Sequence, residues 1–209
     1  MGVTAELAEG VAQLGFALPR EAQPRLLDYL VLLQKWNRTY NLTAVREPSK
    51  MVSHHLLDCL AVAPHVMART IVDVGSGAGL PGIPLALALP QASVTLLESS
   101  HKRAAFLHQA KIELKLDNVA VACERVETWQ PGAAFEMVIS RAFSDLAEFI
   151  KLAGRHVAPG ARLAAMKGIY PHEEIAQLPA GWRLQETIPL TVPSLRAQRH
   201  LLLIGRERV

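Results

Sequence analysis

A glycine-rich turn between a predicted strand and a predicted helix is the part of this sequence that most clearly carries chemistry. Residues 71–74 form a short apolar run typical of a buried strand, and the run leads directly into Gly75, Gly77 and Gly79. A helix is predicted to begin near Pro81, because proline fits the first turn of a helix. Glycines allow turns that are closed to other residues, and they place no Cβ in the way of a ligand. A strand, a glycine turn and a helix in this order predict a site for a nucleotide-like ligand.

Two acidic residues narrow the choice of ligand. Asp73 precedes the first glycine by two residues, where its carboxylate can accept hydrogen bonds from the turn or from a water near the ligand. Glu98 ends the next predicted strand, about 20 residues beyond Gly79, where an acid can bind ribose hydroxyls. The glycine spacing departs from the Gly-x-Gly-x-x-Gly of dinucleotide-binding proteins, which cradles a pyrophosphate. S-adenosylmethionine has no pyrophosphate, so the pattern favours it over NAD as the cofactor.

Further ligand contacts are expected where the other strands end, because open α/β sheets bind ligands at the carboxyl ends of their strands. Glu127 follows the third predicted strand, where it can accept from an adenine amino group. Arg141 follows the fourth, and its cation suits a ligand carboxylate or an RNA phosphate. His54 and Asp58 are four residues apart on a predicted helix, but no third ligand is near and His55 points elsewhere. No metal site is therefore predicted.

Composition bounds the class of protein. The chain has 209 residues, half of them hydrophobic, which is enough for one full domain and a small extension. The net charge of +3 divides into +1 for residues 1–70, −3 for residues 71–150 and +5 for residues 151–209. The acidic middle segment contains the glycine turn. The basic C-terminal segment suits a polyanionic partner, although an ordinary solvated surface has the same composition.

Cysteine content and hydropathy exclude several classes of protein. Cys59 and Cys123 are the only cysteines and lie far apart, so neither a disulfide framework nor a zinc site is predicted. No N-terminal signal segment and no run of ~18 apolar residues occur in the sequence. We therefore expect a soluble, cytoplasmic protein with no membrane association.

Hydrophobic periodicity predicts an α/β domain behind a helical extension. Residues 1–69 are predicted to be the extension, with helices over 5–15, 21–37 and 52–60, and residues 70–209 the cofactor-binding domain. Further helices are predicted over about 100–116, over 145–157 with Ser144 as a cap, and over 172–177. Strands are predicted over 71–74, 93–97, 119–122, 135–139, 161–166, 182–188 and 200–204. The alternation predicts a mostly parallel seven-stranded sheet with an antiparallel edge strand.

Five short segments together resemble one enzyme family. They are W-N-x-x-Y-N-L-T at residues 36–43, H-L-L-D-C-L at 55–60, D-V-G-S-G-A-G-L-P-G at 73–82, S-R-A-F at 140–143 and K-G at 167–168. Over residues 26–204 the chain resembles the ribosomal RNA small subunit methyltransferase G family, also called glucose-inhibited division protein B. The first and third segments in combination are much more specific than either alone.

The resemblance implies a Rossmann-like S-adenosylmethionine-dependent methyltransferase fold and methyl transfer to N7 of a guanine in 16S ribosomal RNA. It implies cofactor contacts by Gly75, Leu80, Val126, Glu127 and Arg141. Together with the residues derived from the turn, the predicted cofactor site comprises Asp73, Gly75, Gly77, Gly79, Leu80, Glu98, Val126, Glu127 and Arg141. The predicted substrate-binding residues are Asn41, His55, Lys167 and Arg199. No catalytic base is named, because N7 carries a free lone pair.

Other functions fit parts of the same pattern. An S-adenosylmethionine-dependent methyltransferase acting on another RNA, a protein or a small molecule has the same fold. An NAD-dependent oxidoreductase would need a strict Gly-x-Gly-x-x-Gly and a second catalytic domain, and the sequence has neither. An RNA-binding protein with a relict cofactor pocket is disfavoured by the intact turn. The leading hypothesis names 16S ribosomal RNA or the small ribosomal subunit as partner, and a monomer as the active form.

Overall fold

The computed structural model describes residues 2–207 and contains a seven-stranded sheet. Its strands are β1 Thr70–Val74, β2 Ser93–Leu97, β3 Val119–Ala122, β4 Phe135–Ser140, β5 Val157–Lys167, β6 Trp182–Pro189 and β7 His200–Arg206. They lie in the order β3-β2-β1-β4-β5-β7-β6. The strands β1 to β5 pair in parallel, whereas β7 runs antiparallel to both β5 and β6. The predicted sheet is confirmed, and its antiparallel strand β7 lies one place inside the edge strand β6.

Helices cover the sheet and fill most of the chain before it. They are α1 Val3–Leu14, α2 Ala22–Tyr40, α3 Pro48–Met51, α4 Asp58–Leu60, α5 Gly82–Ala88, α6 His101–Glu113, α7 Leu146–Ala153 and α8 His172–Ala176. Residues Val52–Leu57, predicted to be α-helical, form a π-helix between α3 and α4. None of the helices in the described part of the chain combines the length and the apolar composition that a membrane span requires.

The central strand β1 is buried because helices cover both faces of the sheet. Side chains alternate between the two faces along a strand. Ile71 therefore packs in the core beneath α2, α5 and α6, while Val72 and Val74 pack in a second core beneath α7. A strand that is buried on both faces is expected to be mostly apolar. Asp73 is the single charged residue within β1.

The region from α7 to β5 differs from its prediction in two details. Asp145, not Ser144, caps α7, and its Oδ1 accepts from the Glu148 backbone N–H at 2.7 Å. The helix ends at Ala153, and β5 begins at Val157, four residues earlier than predicted. Gly160 lies within the strand with φ of 79°, where the pairing of β4 with β5 shifts register. A glycine in a strand often marks such a bulge. From the sequence alone, Gly160 predicts a turn before the strand, which is why the predicted strand began too late.

The N-terminal helices share a core with the sheet domain. Leu26 and Tyr29 of α2 belong to the same buried cluster as Ile83 and Phe106. Arg25 donates to the carbonyl oxygens of Leu114 and Lys115, after α6. The division of the chain after residue 69 stays a prediction, and these contacts make the extension part of one packed unit.

Tyr29 connects the extension to the glycine turn. Its hydroxyl is buried and donates to the Ala78 carbonyl oxygen at 2.6 Å. Substituting Tyr29→Phe is expected to lower the free energy of unfolding by about 1–3 kcal/mol, because the buried carbonyl loses its partner. Urea unfolding measures the change. The matched control is Tyr40→Phe at the half-exposed end of α2, which should have almost no effect. Equal effects of the two substitutions would contradict this role.

Candidate active site

The glycine turn runs from the end of β1 to the start of α5 along a left-handed path. Gly75 has φ of 71° and Gly79 has φ of 86°, a region that other residues rarely adopt. A Cβ on Gly79 would collide with the side chain of Ile83, so this glycine permits close packing inside the protein. A Cβ on Gly75 would make a tight contact of 3.1 Å with Ala142 Cβ, and Gly75 itself is exposed. Gly75 therefore keeps open the space in which a ligand can approach the backbone.

Asp73 connects the end of β1 to the start of α5 beneath the glycine turn. Its Oδ2 accepts from the Gly82 backbone N–H at 3.0 Å, and its Oδ1 is buried without a partner among the described residues. Burial raises the pKa of Asp73 to about 7, against opposing effects of the Gly82 N–H, Ser76 and Arg141. The carboxylate is fully buried, so in this structure it fixes the beginning of α5 and does not face a cavity.

Glu98 holds the other side of the turn. Its Oε2 accepts from the Gly77 backbone N–H at 2.8 Å, and its Oε1 accepts from the Ser100 backbone N–H at 2.9 Å. The same carboxylate thus joins the turn to the N-terminus of α6. Each carboxylate oxygen has a second acceptor site, so a hydroxyl contact is still possible, and the predicted ribose contact stays a prediction.

Two cavities open on either side of Gly75 at the carboxyl ends of the strands. The loop cavity measures about 210 Å³ and is lined by Leu42, Thr43, Gly75, Ser76, Gly77, Ala78, Leu80, Arg103, Arg141 and Ala142. The acidic cavity measures about 270 Å³ and is lined by Val74, Gly75, Leu97, Ser99, Glu124, Arg125, Val126, Glu127, Phe143, Glu148 and Leu152. Gly75 lines both cavities, and the two together are referred to below as the groove.

The structure brings most of the predicted cofactor residues to this groove. Gly75, Gly77, Leu80 and Arg141 line the loop cavity, and Gly75, Val126 and Glu127 line the acidic cavity. Asp73, Gly79 and Glu98 line neither and instead shape the turn.

Arg103 and Glu148 are groove residues that the sequence analysis did not identify. Arg103 lies in the first turn of α6, the helix that follows β2 and Glu98. A basic residue at this position could have been identified from the sequence. Glu148 reaches the groove from α7, and no local motif marks it.

A third cavity, the arginine cavity, adjoins the loop cavity. It measures about 370 Å³ and is lined by Val45, His54, His55, Asp58, Arg141, Met166, Lys167, Gly168 and Arg199. Arg141 lines both cavities, so the two are neighbours.

Asp58 organises the arginine cavity. Its Oδ2 accepts from Arg141 Nη1 at 3.1 Å, and its Oδ1 accepts from Arg199 Nε at 2.9 Å. Its side chain is only 3% exposed, compared with 28% for Arg141 and 24% for Arg199. A buried carboxylate between two cations fixes both side chains while leaving part of each guanidinium accessible. Asp58 therefore forms internal ion pairs with Arg141 and Arg199. These contacts are neither metal ligation nor helix capping.

Three of the four predicted substrate-binding residues line the arginine cavity. Arg199 presents part of its guanidinium there, whereas Lys167 already donates to Ser144 O and to Glu174 Oε2, both at 2.7 Å. The proposed place of Lys167 on a basic rim stays a prediction, since its ammonium group is used inside the fold.

His55 and Asn41 occupy different surroundings. His55 pairs with Thr43 through Nε2 at 2.9 Å, and burial lowers its pKa to about 4, so it is neutral at physiological pH. Asn41 lies outside the cavity, where it ends α2 with φ of 49° and accepts from Arg46 at 2.9 Å. An RNA contact by Asn41 stays a prediction.

Comparison with known proteins identifies the family. The sequence model of the family described as rRNA small subunit methyltransferase G matches residues 22–202. The chain belongs to this family. It is 56% identical to the ribosomal RNA small subunit methyltransferase G of Nitrosospira multiformis, over 99% of each chain. It is 53% identical to the protein of the same name from Laribacter hongkongensis, over 98% of this chain and 99% of the relative.

Solved structures support the fold of this methyltransferase G family member. A SAM-dependent methyltransferase from Aquifex aeolicus aligns with a TM-score of 0.60, at 18% identity, over 76% of this chain and 93% of that one. The mitomycin 7-O-methyltransferase MmcR aligns with a TM-score of 0.64, also at 18% identity, over 84% of this chain and 60% of that one. At these identities the likeness establishes the methyltransferase fold.

The raised pKa of Asp73 makes stability depend on pH. The folded state holds the proton up to about pH 7, whereas an unfolded chain releases it near pH 4, so stability falls as pH rises between these values. The variant Asp73→Asn keeps an acceptor for the Gly82 N–H and cannot titrate. The unfolding free energy of the natural protein relative to this variant is expected to fall by about 1.4 kcal/mol per pH unit.

Urea unfolding of both proteins at several pH values measures this difference. The pKa of His55 is lowered from its usual value of 6.5 to about 4. This histidine therefore makes stability fall as the pH decreases from 6.5 to about 4. Because His55 is present in both proteins, the comparison isolates Asp73. Parallel pH profiles for the two proteins would show that the Asp73 carboxyl does not have a raised pKa.

Proposed function

We propose that this protein transfers a methyl group from S-adenosylmethionine to N7 of a guanine in 16S ribosomal RNA. The family match over residues 22–202 is the observation that carries the proposal. The groove across Gly75 supports it, because it lies at the carboxyl ends of the strands, where this class of sheet binds its ligands. The proposed partner is 16S ribosomal RNA or the small ribosomal subunit, the proposed place of action is the cytoplasm, and the proposed active form is a monomer.

The groove has the charges and the open space that S-adenosylmethionine requires. Glu127 is an exposed carboxylate in the acidic cavity, which suits the adenine amino group and ribose hydroxyls. Arg103 and Arg141 line the loop cavity, which suits the methionine carboxylate. Between them Gly75 brings bare backbone to the surface. Bound in this orientation, the cofactor supplies an electrophilic methyl group on its sulfonium sulfur.

The residues of the groove contribute alignment and exclusion of water. Guanine N7 has a free lone pair, so it attacks the methyl carbon without losing a proton. The N–C bond forms as the S–C bond breaks, and the positive charge moves from sulfur to the guanine. No general base is required, and holding the two reactants in line provides the main rate enhancement. His55, which lines the adjoining arginine cavity, is a weak proton acceptor because burial lowers its pKa to about 4.

The position of N7 constrains the RNA. N7 lies on the major-groove edge of guanine, and the major groove of an RNA helix is too deep and narrow for side chains to enter. The target guanine must therefore lie in a loop or a distorted region, or leave its stack when it binds.

A labelling experiment tests the function. The protein is incubated with tritiated S-adenosylmethionine and a mixture of unmethylated small ribosomal subunits, other RNAs, proteins and metabolites. Label is expected on N7 of one guanine in 16S ribosomal RNA. Label on another class of molecule, on another atom of 16S ribosomal RNA, or on nothing would refute the proposal.

Two variants connect that activity to the groove. Gly75→Val places a branched side chain where the ligand approaches, so labelling and S-adenosylmethionine binding should both be lost. Gly181→Val is the matched control, since Gly181 also has a positive φ of 80°, a Cβ there meets nothing within 4 Å, and the residue lines neither cavity of the groove. Labelling by the control should equal that of the natural protein. Undiminished cofactor affinity of Gly75→Val in calorimetry would show that the cofactor binds elsewhere.

A further inference from the structure

A fourth cavity, the distal cavity, lies between α7 and the beginning of β6. It measures about 610 Å³, which is within the range of pockets that bind small ligands. The side chains that give it its character are Glu148, Ile150, Lys151, Arg155, Trp182 and Arg206. Glu148 also lines the acidic cavity, so the distal cavity and the groove are neighbours. The methyl transfer derived above uses none of the basic residues of this cavity.

The distal cavity carries a net positive charge. Lys151, Arg155 and Arg206 line it, and Glu148 is the single acidic residue among the described residues of its lining, so three positive charges oppose one negative charge. All three basic side chains are exposed. They belong to residues 151–209, the segment whose excess of basic residues suits a polyanionic partner. The cavity therefore collects part of that positive charge in one concave place.

Internal contacts hold two of the three cations in position. Arg155 Nη2 donates to the carbonyl oxygens of Val126 at 2.8 Å and Trp129 at 3.0 Å. The central carbon of the Arg206 guanidinium lies 4.9 Å from the centre of the Trp182 ring, in a cation–π contact. A guanidinium that is already oriented loses less conformational freedom when it binds an anion.

Trp182 gives the cavity an aromatic wall. A Cβ on Gly154 would lie 2.8 Å from Trp182 Cζ2, so the indole packs directly against the backbone that follows α7. The indole is half-buried, and Arg206 lies over it. Nucleobases stack both on aromatic rings and on the planes of arginine guanidinium groups. An aromatic wall beside basic residues is typical of sites for unpaired nucleotides, in which cations pair with the phosphates.

We propose that the distal cavity binds an unpaired nucleotide of the RNA substrate, away from the guanine that is methylated. Its phosphate would lie against Lys151 and Arg155, and its base on the pair formed by Trp182 and Arg206. This inference rests on the proposed function, which supplies an RNA and requires its target to lie in a loop or a distorted region. Such regions present unpaired nucleotides near the target. An acidic peptide would match the charge but would bring no base to the aromatic wall.

The salt dependence of RNA binding tests the proposal. Lys151 is exposed in the last turn of α7, so Lys151→Gln removes one positive charge and leaves the core unchanged. The affinity for unmethylated 16S ribosomal RNA is measured by filter binding at several salt concentrations. Loss of one phosphate contact should reduce the slope of log affinity against log salt by about 0.7 to 0.9 in magnitude. A slope equal to that of the natural protein would overturn the proposal.

Two further variants separate a local contact from a change in overall charge. Lys111→Gln is the matched control, because Lys111 lies in the last turn of α6 and lines neither the groove nor the distal cavity. It removes the same charge from the protein and should leave the slope unchanged. Lys151→Arg keeps the charge and should bind RNA with the slope of the natural protein. Equal reductions of the slope in Lys151→Gln and Lys111→Gln would show an effect of net charge alone and would overturn the proposal.

Methylation kinetics show at which stage the contact acts. Because the nucleotide in the distal cavity is remote from the reacting atoms, it contributes equally to binding before and during methyl transfer. Lys151→Gln is therefore expected to raise the KM for small ribosomal subunits and to leave kcat unchanged. Its affinity for S-adenosylhomocysteine should equal that of the natural protein. A lower kcat with an unchanged KM would contradict an RNA-binding role.

A free nucleotide is the alternative occupant of the cavity. The protein is saturated with S-adenosylhomocysteine to fill the groove and is then titrated with adenosine monophosphate in a calorimeter. Binding that Lys151→Gln abolishes, together with an unchanged salt slope for RNA, would assign the cavity to a free nucleotide and overturn the proposal. The salt slopes require no turnover. Absence of methylation by the natural protein would therefore refute the proposed function, while the slopes would still decide whether the distal cavity contacts RNA.

Discussion

A buried carboxylate at the end of the central strand is the constraint on which the site depends. Asp73 accepts from the Gly82 backbone N–H and so draws the first turn of α5 onto β1. The approach is so close that a Cβ on Gly82 would lie 2.8 Å from Asp73 Oδ2 and would collide with Leu96. Burying this charge is costly, as its raised pKa indicates. Interactions with the Gly82 N–H, Ser76 and Arg141 offset part of this cost. The result is a fixed turn with a cavity on each side.

Two long-range contacts extend this arrangement across the chain. Tyr29 of the N-terminal extension bonds the turn at Ala78, so the extension supports the groove from behind. Asp58, also in the extension, pairs with Arg141 after β4 and with Arg199 before β7. A buried carboxylate with two hydrogen-bonded cations is stable only as a set, because removing one partner leaves an uncompensated charge. The extension therefore contributes Leu42 and Thr43 to the loop cavity, and Val45, His54, His55 and Asp58 to the arginine cavity.

The fold was predictable from local sequence, whereas contacts between distant segments were not. Strands such as β1 are apolar because both faces are covered, and glycines in the turn are required by its path, so both features are visible in the sequence. The π-helix at Val52–Leu57 has no such local signature. The pairing of Asp58 with Arg199 spans 141 residues, and Lys167 is engaged by Glu174 across a turn. Side-chain charge alone does not distinguish these internal pairs from exposed contacts to RNA.

We expect one cofactor to span the two cavities at Gly75 and to direct its reactive end toward the arginine cavity. A crystal structure of the protein with S-adenosylhomocysteine tests this most directly. We expect adenine beside Val126 and Glu127, the amino-acid carboxylate near Arg103 or Arg141, and the sulfur atom facing the arginine cavity. A ligand bound away from Gly75, or one whose sulfur faces away from Arg199 and Gly168, would contradict it.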